Sequence, residues 1–169
     1  MYISPFEEYG VRCAVQLARV APEAHLSASR VAELEGISVE YVSKIMYVFR
    51  QAKLVKAVRG VQGGFQLARR PQEISVKQVV DSLHLKRKID EDFCKQYTGQ
   101  LEECIHLKSC SIRPVWLILS VYLGELLNEL TLGDFLSPED AMIAKVRRLG
   151  AENAAGFKQT LIGTGMGSF

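Results

Sequence analysis

Two amphipathic segments joined by the short turn Gly36-Ile37-Ser38 constrain this chain more than any other feature. Ser27 can cap the first of them, and Gly36 can end it after Glu35 in a left-handed conformation. Ser38 then caps a further helix that buries Val42, Ile45, Met46 and Phe49. Upstream, Phe6, Tyr9, Cys13, Ala14, Leu17 and Ala18 recur at helical spacing and predict a helix that precedes both. Two helices across so short a turn are the helix-turn-helix signature. The outward face of the second one carries Glu40, Tyr41, Ser43, Lys44 and Tyr47, with Ser38 at its start. These side chains can reach base edges and phosphates in a major groove.

A hairpin is predicted next. Leu54 to Val58 and Phe65 to Ala68 are strand-like and bracket Arg59-Gly-Val-Gln-Gly-Gly. Glycine at 60, 63 and 64 permits positive φ and a tight reversal. Arg59 at the tip can enter a narrow minor groove, and Gln62 and Gly63 are further candidate DNA contacts. The loop has neither the Walker spacing nor Gly-x-Gly-x-x-Gly, so a nucleotide-binding enzyme is not indicated. The expected fold class is mainly α with a small β-hairpin wing.

A net charge of +2 predicts no polyanion partner by itself, but the charge is unevenly placed. Between Glu40 and Glu73 there is no acidic residue, while Lys44, Arg50, Lys53, Lys56, Arg59, Arg69 and Arg70 are all basic. Such a local stripe is the electrostatic footprint of phosphate binding. An apolar share of 48% is ample for a core. The start has neither the basic nor the apolar region of a signal peptide. The longest apolar run, Val115 to Leu123, falls well short of the ~20 residues of a membrane helix. A cytoplasmic protein without a membrane partner is therefore expected, with reduced cysteines that serve as ligands rather than disulfides.

Cys94, Cys104 and Cys110 lie in the segment from Asp90 to Pro114, which lacks sustained periodicity and reads as a loop. Three thiols on a flexible loop can converge on a soft metal or an iron–sulfur cluster. No Cys-x-x-Cys pair exists, so structural zinc is the second choice, and three inert thiols are the plain alternative. Ser75 is expected to cap a short helix ending near Leu83, with Ile74 and Val79 stapling its start. Pro114 fits the first turn of a helix reaching about Leu130, whose apolar residues cover more than one face and call for a partner subunit. Ser137-Pro138-Glu139-Asp140 starts another helix, expected to end around Gly150. The chain thus divides into a winged helix-turn-helix domain (1–85), a cysteine loop (86–113), a dimerisation helix with a C-terminal helix (114–150) and a mobile tail (151–169).

Gly36-Ile-Ser-Val-Glu-Tyr-Val, Val58-Arg-Gly-Val-Gln-Gly-Gly-Phe, the three cysteines, and Leu132-Gly-Asp-Phe after the apolar helix containing Trp116 resemble the Rrf-type winged-helix bacterial transcription regulators. That family includes the iron–sulfur regulator IscR, the nitric-oxide sensor NsrR and the iron regulator RirA. The resemblance covers residues 1 to 136 in unbroken order. It implies a homodimer on a pseudopalindromic operator in double-stranded DNA, with an iron–sulfur cluster of two or four irons on Cys94, Cys104 and Cys110. For the fourth ligand the chain departs from IscR-like members, which place a histidine where Arg113 stands; arginine stays protonated and does not ligate. Glu8 aligns with the aspartate of NsrR-like members, although an i,i+4 ion pair with Arg12 would also explain it. His106 is a local candidate, and Cys13 on an apolar helix face is read as core. The first cysteine interval is longer than the family's usual one.

The resulting expectation is a regulator whose operator affinity is switched by a cluster sensing redox, nitric oxide or iron status. The alternative is control by zinc, thiol oxidation or a protein partner. No nucleophile elbow, phosphate loop or acid–base pair supports an enzyme.

Overall fold

A computed structural model of the chain describes residues 3–21, 23–60, 63–83 and 97–163, with side chains as far as 153. Helix α1 (Pro5–Arg19) begins with a reciprocal cap. The Ser4 hydroxyl accepts from the Glu7 N–H at 3.3 Å, and the Ser4 N–H donates to the Glu7 carboxylate at 2.6 Å. Helix α2 (Ala28–Glu35) starts where the Ser27 hydroxyl accepts from the Arg30 N–H, and it ends at Gly36 with φ 66°. Helix α3 (Val39–Gln51) starts the same way, with Ser38 accepting from the Tyr41 N–H at 3.2 Å. Both serines and Gly36 act as the sequence predicts.

Strands β1 (Val55–Val58) and β2 (Gly64–Leu67) pair antiparallel, Val55 opposite Leu67 and Val58 opposite Gly64. The hairpin does not stand alone. Leu26 and Phe65 exchange both backbone hydrogen bonds, at 3.0 and 2.8 Å, so the segment before α2 forms a one-residue third strand at the wing's root. The glycine expectation needs correction here. Gly60 alone of the three has positive φ, 128°. Gly64 is there for space, since a Cβ at this position would lie 2.4 Å from the Leu26 carbonyl oxygen; at Gly63 it would meet the Val58 oxygen at the same distance.

After a 3-10 turn at Pro71–Glu73, α4 (Val76–Leu83) is capped by Ser75. Helix α5 (Arg113–Glu129) carries Pro114 in its first turn and has no buried residue. Its Val115, Leu119 and Val121 are about half exposed, and Trp116, Leu117 and Ile118 only somewhat less. Beyond α5 the chain returns to the winged domain. The Val76 N–H donates to the Leu130 carbonyl at 2.7 Å, the Leu132 N–H to the Ile74 carbonyl at 3.0 Å, and Leu132 is fully buried.

Helix α6 is Glu139–Gly163. The expected stop at Gly150 is thereby corrected: the helix runs on to Gly163, into the segment assigned to the tail. Interior glycine costs a helix only about 1 kcal/mol relative to alanine. Here Ala151, Glu152, Ala154 and Ala155 follow it as good helix formers, and the Gly150 carbonyl accepts from the Tyr122 hydroxyl at 2.9 Å.

The core joins α1, α2, α3, α4 and the wing through Cys13, Val31, Val42, Ile45, Met46, Phe49, Ile74 and Leu132. At its edge Glu35 is a buried carboxylate held by two side chains of α1. Arg12 Nε donates at 2.6 Å and Gln16 Nε2 at 2.5 Å. Arg12 therefore pairs with Glu35, not with Glu8 as the local i,i+4 alternative proposed. The buried carboxylate competes better because it has lost its water and requires donors.

Gly64→Ala forces β2 away from Leu26. We expect a loss of about 1–3 kcal/mol in urea unfolding, as for overpacking a tight site. Amide exchange should accelerate at Leu26 and Phe65, while the amides of α1 keep their relative protection.

Candidate nucleic-acid interface and thiol loop

The Ser38 cap and the four buried residues of α3 fix which face of that helix is left to solvent. Glu40, Ser43, Lys44 and Tyr47 are exposed on it, and Tyr41 is half-buried. The Ser38 hydroxyl is engaged as the cap, so its contribution to binding is to set the first turn of α3. The Glu40 carboxyl is held below the usual carboxylate range by its own backbone N–H and then by the Ser38 hydroxyl. It stays ionised in the helix's first turn and can accept from a cytosine amino group.

Tyr41 turns back toward α1. Its ring packs edge-on against Phe6 (5.9 Å, 79°) and Tyr9 (5.9 Å, 83°). The Lys44 ammonium lies over the Phe6 ring at 5.4 Å, and the Arg50 guanidinium over Tyr47 at 5.8 Å. Arg59 is exposed just after β1, with Lys53 and Lys56 exposed nearby. Gln62 lies outside the described residues, and the constraint on Gly63 is backbone crowding. The exposed side of α3 and the described part of the wing thus carry Lys44, Arg50, Lys53, Lys56 and Arg59, with aromatic rings packed behind the helix.

The second candidate site is the cysteine loop. Residues 97–112 run through turns and bends without helix or strand, as expected. Cys104 and Cys110 are free thiols of intermediate exposure, and Cys94 lies outside the described residues. The Cys110 Sγ accepts from the Arg113 N–H at 3.4 Å, at the N-terminus of α5. That bond, a second one from the Ile112 N–H and the Arg113 charge lower the Cys110 pKa. The Arg113 guanidinium also donates to the Leu107 carbonyl at 2.8 Å and the His106 carbonyl at 3.4 Å, strapping the loop to the helix start.

Sequence reasoning treated Arg113 only as a missing ligand. The available signal was a cysteine placed three residues ahead of a helix that opens with Arg-Pro.

Glu8 is exposed on α1 and adds a minor attraction to Arg12. His106 is exposed as well. Among the described residues no three His, Cys, Asp or Glu side chains converge as a metal site within the chain. Cys13 is fully buried, and burial pushes its thiol up to about 12, which makes it a core residue and a poor ligand. The donor chemistry at Cys104 and Cys110 does fit a thiolate-ligated soft metal or cluster. Such ligands must be deprotonated, and Cys110 is held toward that form.

A winged helix-turn-helix with a basic recognition face defines a DNA-binding transcriptional regulator. The chain belongs to the Rrf2 family, whose model, described as an iron-dependent transcriptional regulator, matches residues 3–138. It is similar to the solved structure of T. potens IscR, with a TM-score of 0.64 and 31% identity over 85% of this chain and 90% of that one. It is 28% identical to the HTH-type transcriptional regulator NsrR of Halalkalibacterium halodurans over 87% of this chain and 98% of the relative. The fold is shared with CymR, the global cysteine regulator of B. subtilis, at a TM-score of 0.59 and 23% identity over 80% of this chain and 95% of that one. The family and fold expectations both hold. Among the described residues no helix is long and apolar enough to cross a membrane.

The thiols should separate by reactivity in metal-free, reduced protein. With iodoacetamide at a pH below the ordinary thiol range, Cys110 should be alkylated ahead of Cys104, since its pKa is lowered and the thiolate is the nucleophile. Cys13 should remain unmodified until the protein is denatured. Peptide mass mapping reads all three.

Proposed function

We propose that this regulator acts as a homodimer on pseudopalindromic double-stranded DNA, and that an iron–sulfur cluster on Cys94, Cys104 and Cys110 switches its operator affinity. The observation that carries this reading is the junction of Cys110 with α5. A thiol inclined to the thiolate form sits on the first backbone N–H groups of a helix that leaves much of its apolar surface uncovered. Ligation of that sulfur therefore acts directly on the element that a partner subunit would cover.

In this reading α3 lies in the major groove, with Ser38, Glu40, Tyr41, Ser43, Lys44 and Tyr47 on or supporting its DNA face. Arg59, Gln62 and Gly63 of the wing lie toward the minor groove. Arg113 cannot ligate, and instead holds the loop carbonyls and compensates the Cys110 thiolate charge. Glu8, on the exposed side of α1, is the fourth ligand, given by either subunit; a carboxylate is the hardest of the four donors and the most exchangeable. When bound, the cluster supplies a redox- and gas-sensitive iron centre. Its occupancy and DNA affinity are then reciprocally coupled, through the difference in affinity for the two dimer arrangements. A second reading draws on the same lowered Cys110 pKa: thiolate character also favours oxidation, so thiol chemistry without a cluster could control the dimer.

Anaerobic purification separates the two readings. A brown protein that loses its chromophore on Cys104→Ala or Cys110→Ala, but not on Cys13→Ala, supports the cluster. A colourless protein whose DNA binding responds to zinc or to oxidant supports the alternative. Glu8→Ala should alter the cluster spectrum and the DNA response more than His106→Ala; the reverse result makes the fourth ligand local. On the DNA side, Lys44→Ala should lower the salt slope of binding by about 1, as for one lost phosphate contact. Arg59→Ala should weaken binding through the wing. Full-strength binding by the double variant would exclude this surface.

A further inference from the structure

We propose that Phe6, in the first turn of α1, is a positioning residue for DNA binding: its ring holds the Lys44 ammonium in place on the recognition face. The inference rests on the reading of α3 as the DNA-facing helix. Lys44 ends a four-carbon chain that would otherwise sample many rotamers, and a phosphate contact must fix them. No ion pair fixes it among the described residues. Glu40, one turn earlier, is held by its own N–H and the Ser38 hydroxyl. What lies beneath the ammonium is the Phe6 ring, 5.4 Å from its centroid. A ring engages one side of an ammonium and leaves the other N–H groups free for an anion.

The ring is itself held. Phe6 packs edge-on with Tyr41, and Tyr41 with Tyr9. Tyr9 lies under the Arg12 guanidinium at 5.2 Å, and Arg12 is bound to the buried Glu35 at the end of α2. A run of contacts thus leads from a buried carboxylate beside the helix-turn-helix turn, across α1, to an exposed cation on α3. Each member limits the freedom of the next. Phe6 is partly buried against the core, which leaves ring surface exposed to take the ammonium. Phe6 thus packs against the core with one part of its ring and faces Lys44 with another.

The test uses the full chain and a mixed-sequence duplex, because a phosphate contact does not depend on the operator. Phe6→Leu should weaken binding about two- to fivefold, with the salt slope unchanged because Lys44 is still present. Phe6→Tyr should restore the affinity. In a Lys44→Met background, Phe6→Leu should have no further effect. In the unbound wild-type protein, the Lys44 ε-methylene protons should show an upfield ring-current shift, a measurement that requires no variant to fold. Equal weakening by Phe6→Leu with and without Lys44 would overturn the proposal, as would an unshifted ε-methylene. If Lys44→Met left both affinity and salt slope unchanged, the DNA-facing assignment of α3 would fall, and this inference with it.

Discussion

The buried Glu35 carboxylate fixes how the helices of the DNA-binding half meet. Glu35 closes α2 immediately before the left-handed Gly36, and its two side-chain donors, the charged Arg12 and the neutral Gln16, come from successive turns of α1. A desolvated carboxylate without donors is expensive, so any tilt of α1 that draws Arg12 and Gln16 away is resisted. Replacing such a pair with apolar side chains is often neutral for stability. Its value here is register: it ties α1 to the turn from which α3 departs, and so fixes the direction of the recognition helix against the rest of the fold.

The second organising fact is where the chain leaves that unit and where it rejoins it. Helix α4 ends at Leu83, and the chain is back in that unit at Thr131, where Leu132 enters the core and the backbone pairs with Ile74 and Val76. Helix α5 is thus anchored at its C-terminal end and begins at Arg113, with Cys110 in the loop just ahead of it. The Cys110 thiol lies against one end of a helix whose other end is fixed to the winged domain. The contacts of α5 with α4 and α6, including the Tyr122 hydroxyl on Gly150, steady the helix while leaving much of its apolar surface uncovered.

What could be read from the sequence were the features with local causes. Ser27, Ser38 and Ser75 cap helices because a hydroxyl before a periodic segment satisfies the first free N–H groups. Gly36 and Pro114 carry their conformational preferences with them. Features with non-local causes were not legible. Nothing near Arg12 in sequence announces Glu35, and the one-residue strand at Leu26 is too short to show a period. For that reason the spacing of the wing glycines points to φ, whereas two of them answer to crowding. The site divides the same way. The exposed face of α3 followed from its buried face, whereas the part played by Arg113 appeared only with the loop folded back onto the helix start.

The wing's two ends stand in different positions with respect to change. Its root is locked, with β2 paired on one side to β1 and on the other to Leu26, and with no room for a side chain at Gly64. Arg59 and Gly60, at the far end of β1, touch none of this and contribute nothing to the core. Arg59 can therefore be replaced with little penalty in folding, whereas Gly60, at φ 128°, resists any side chain, and the root keeps delivering that end of the wing to the same place. On the proposed reading of the wing as a DNA contact, a lineage of such proteins can change its DNA target at Arg59 without passing through an unstable intermediate.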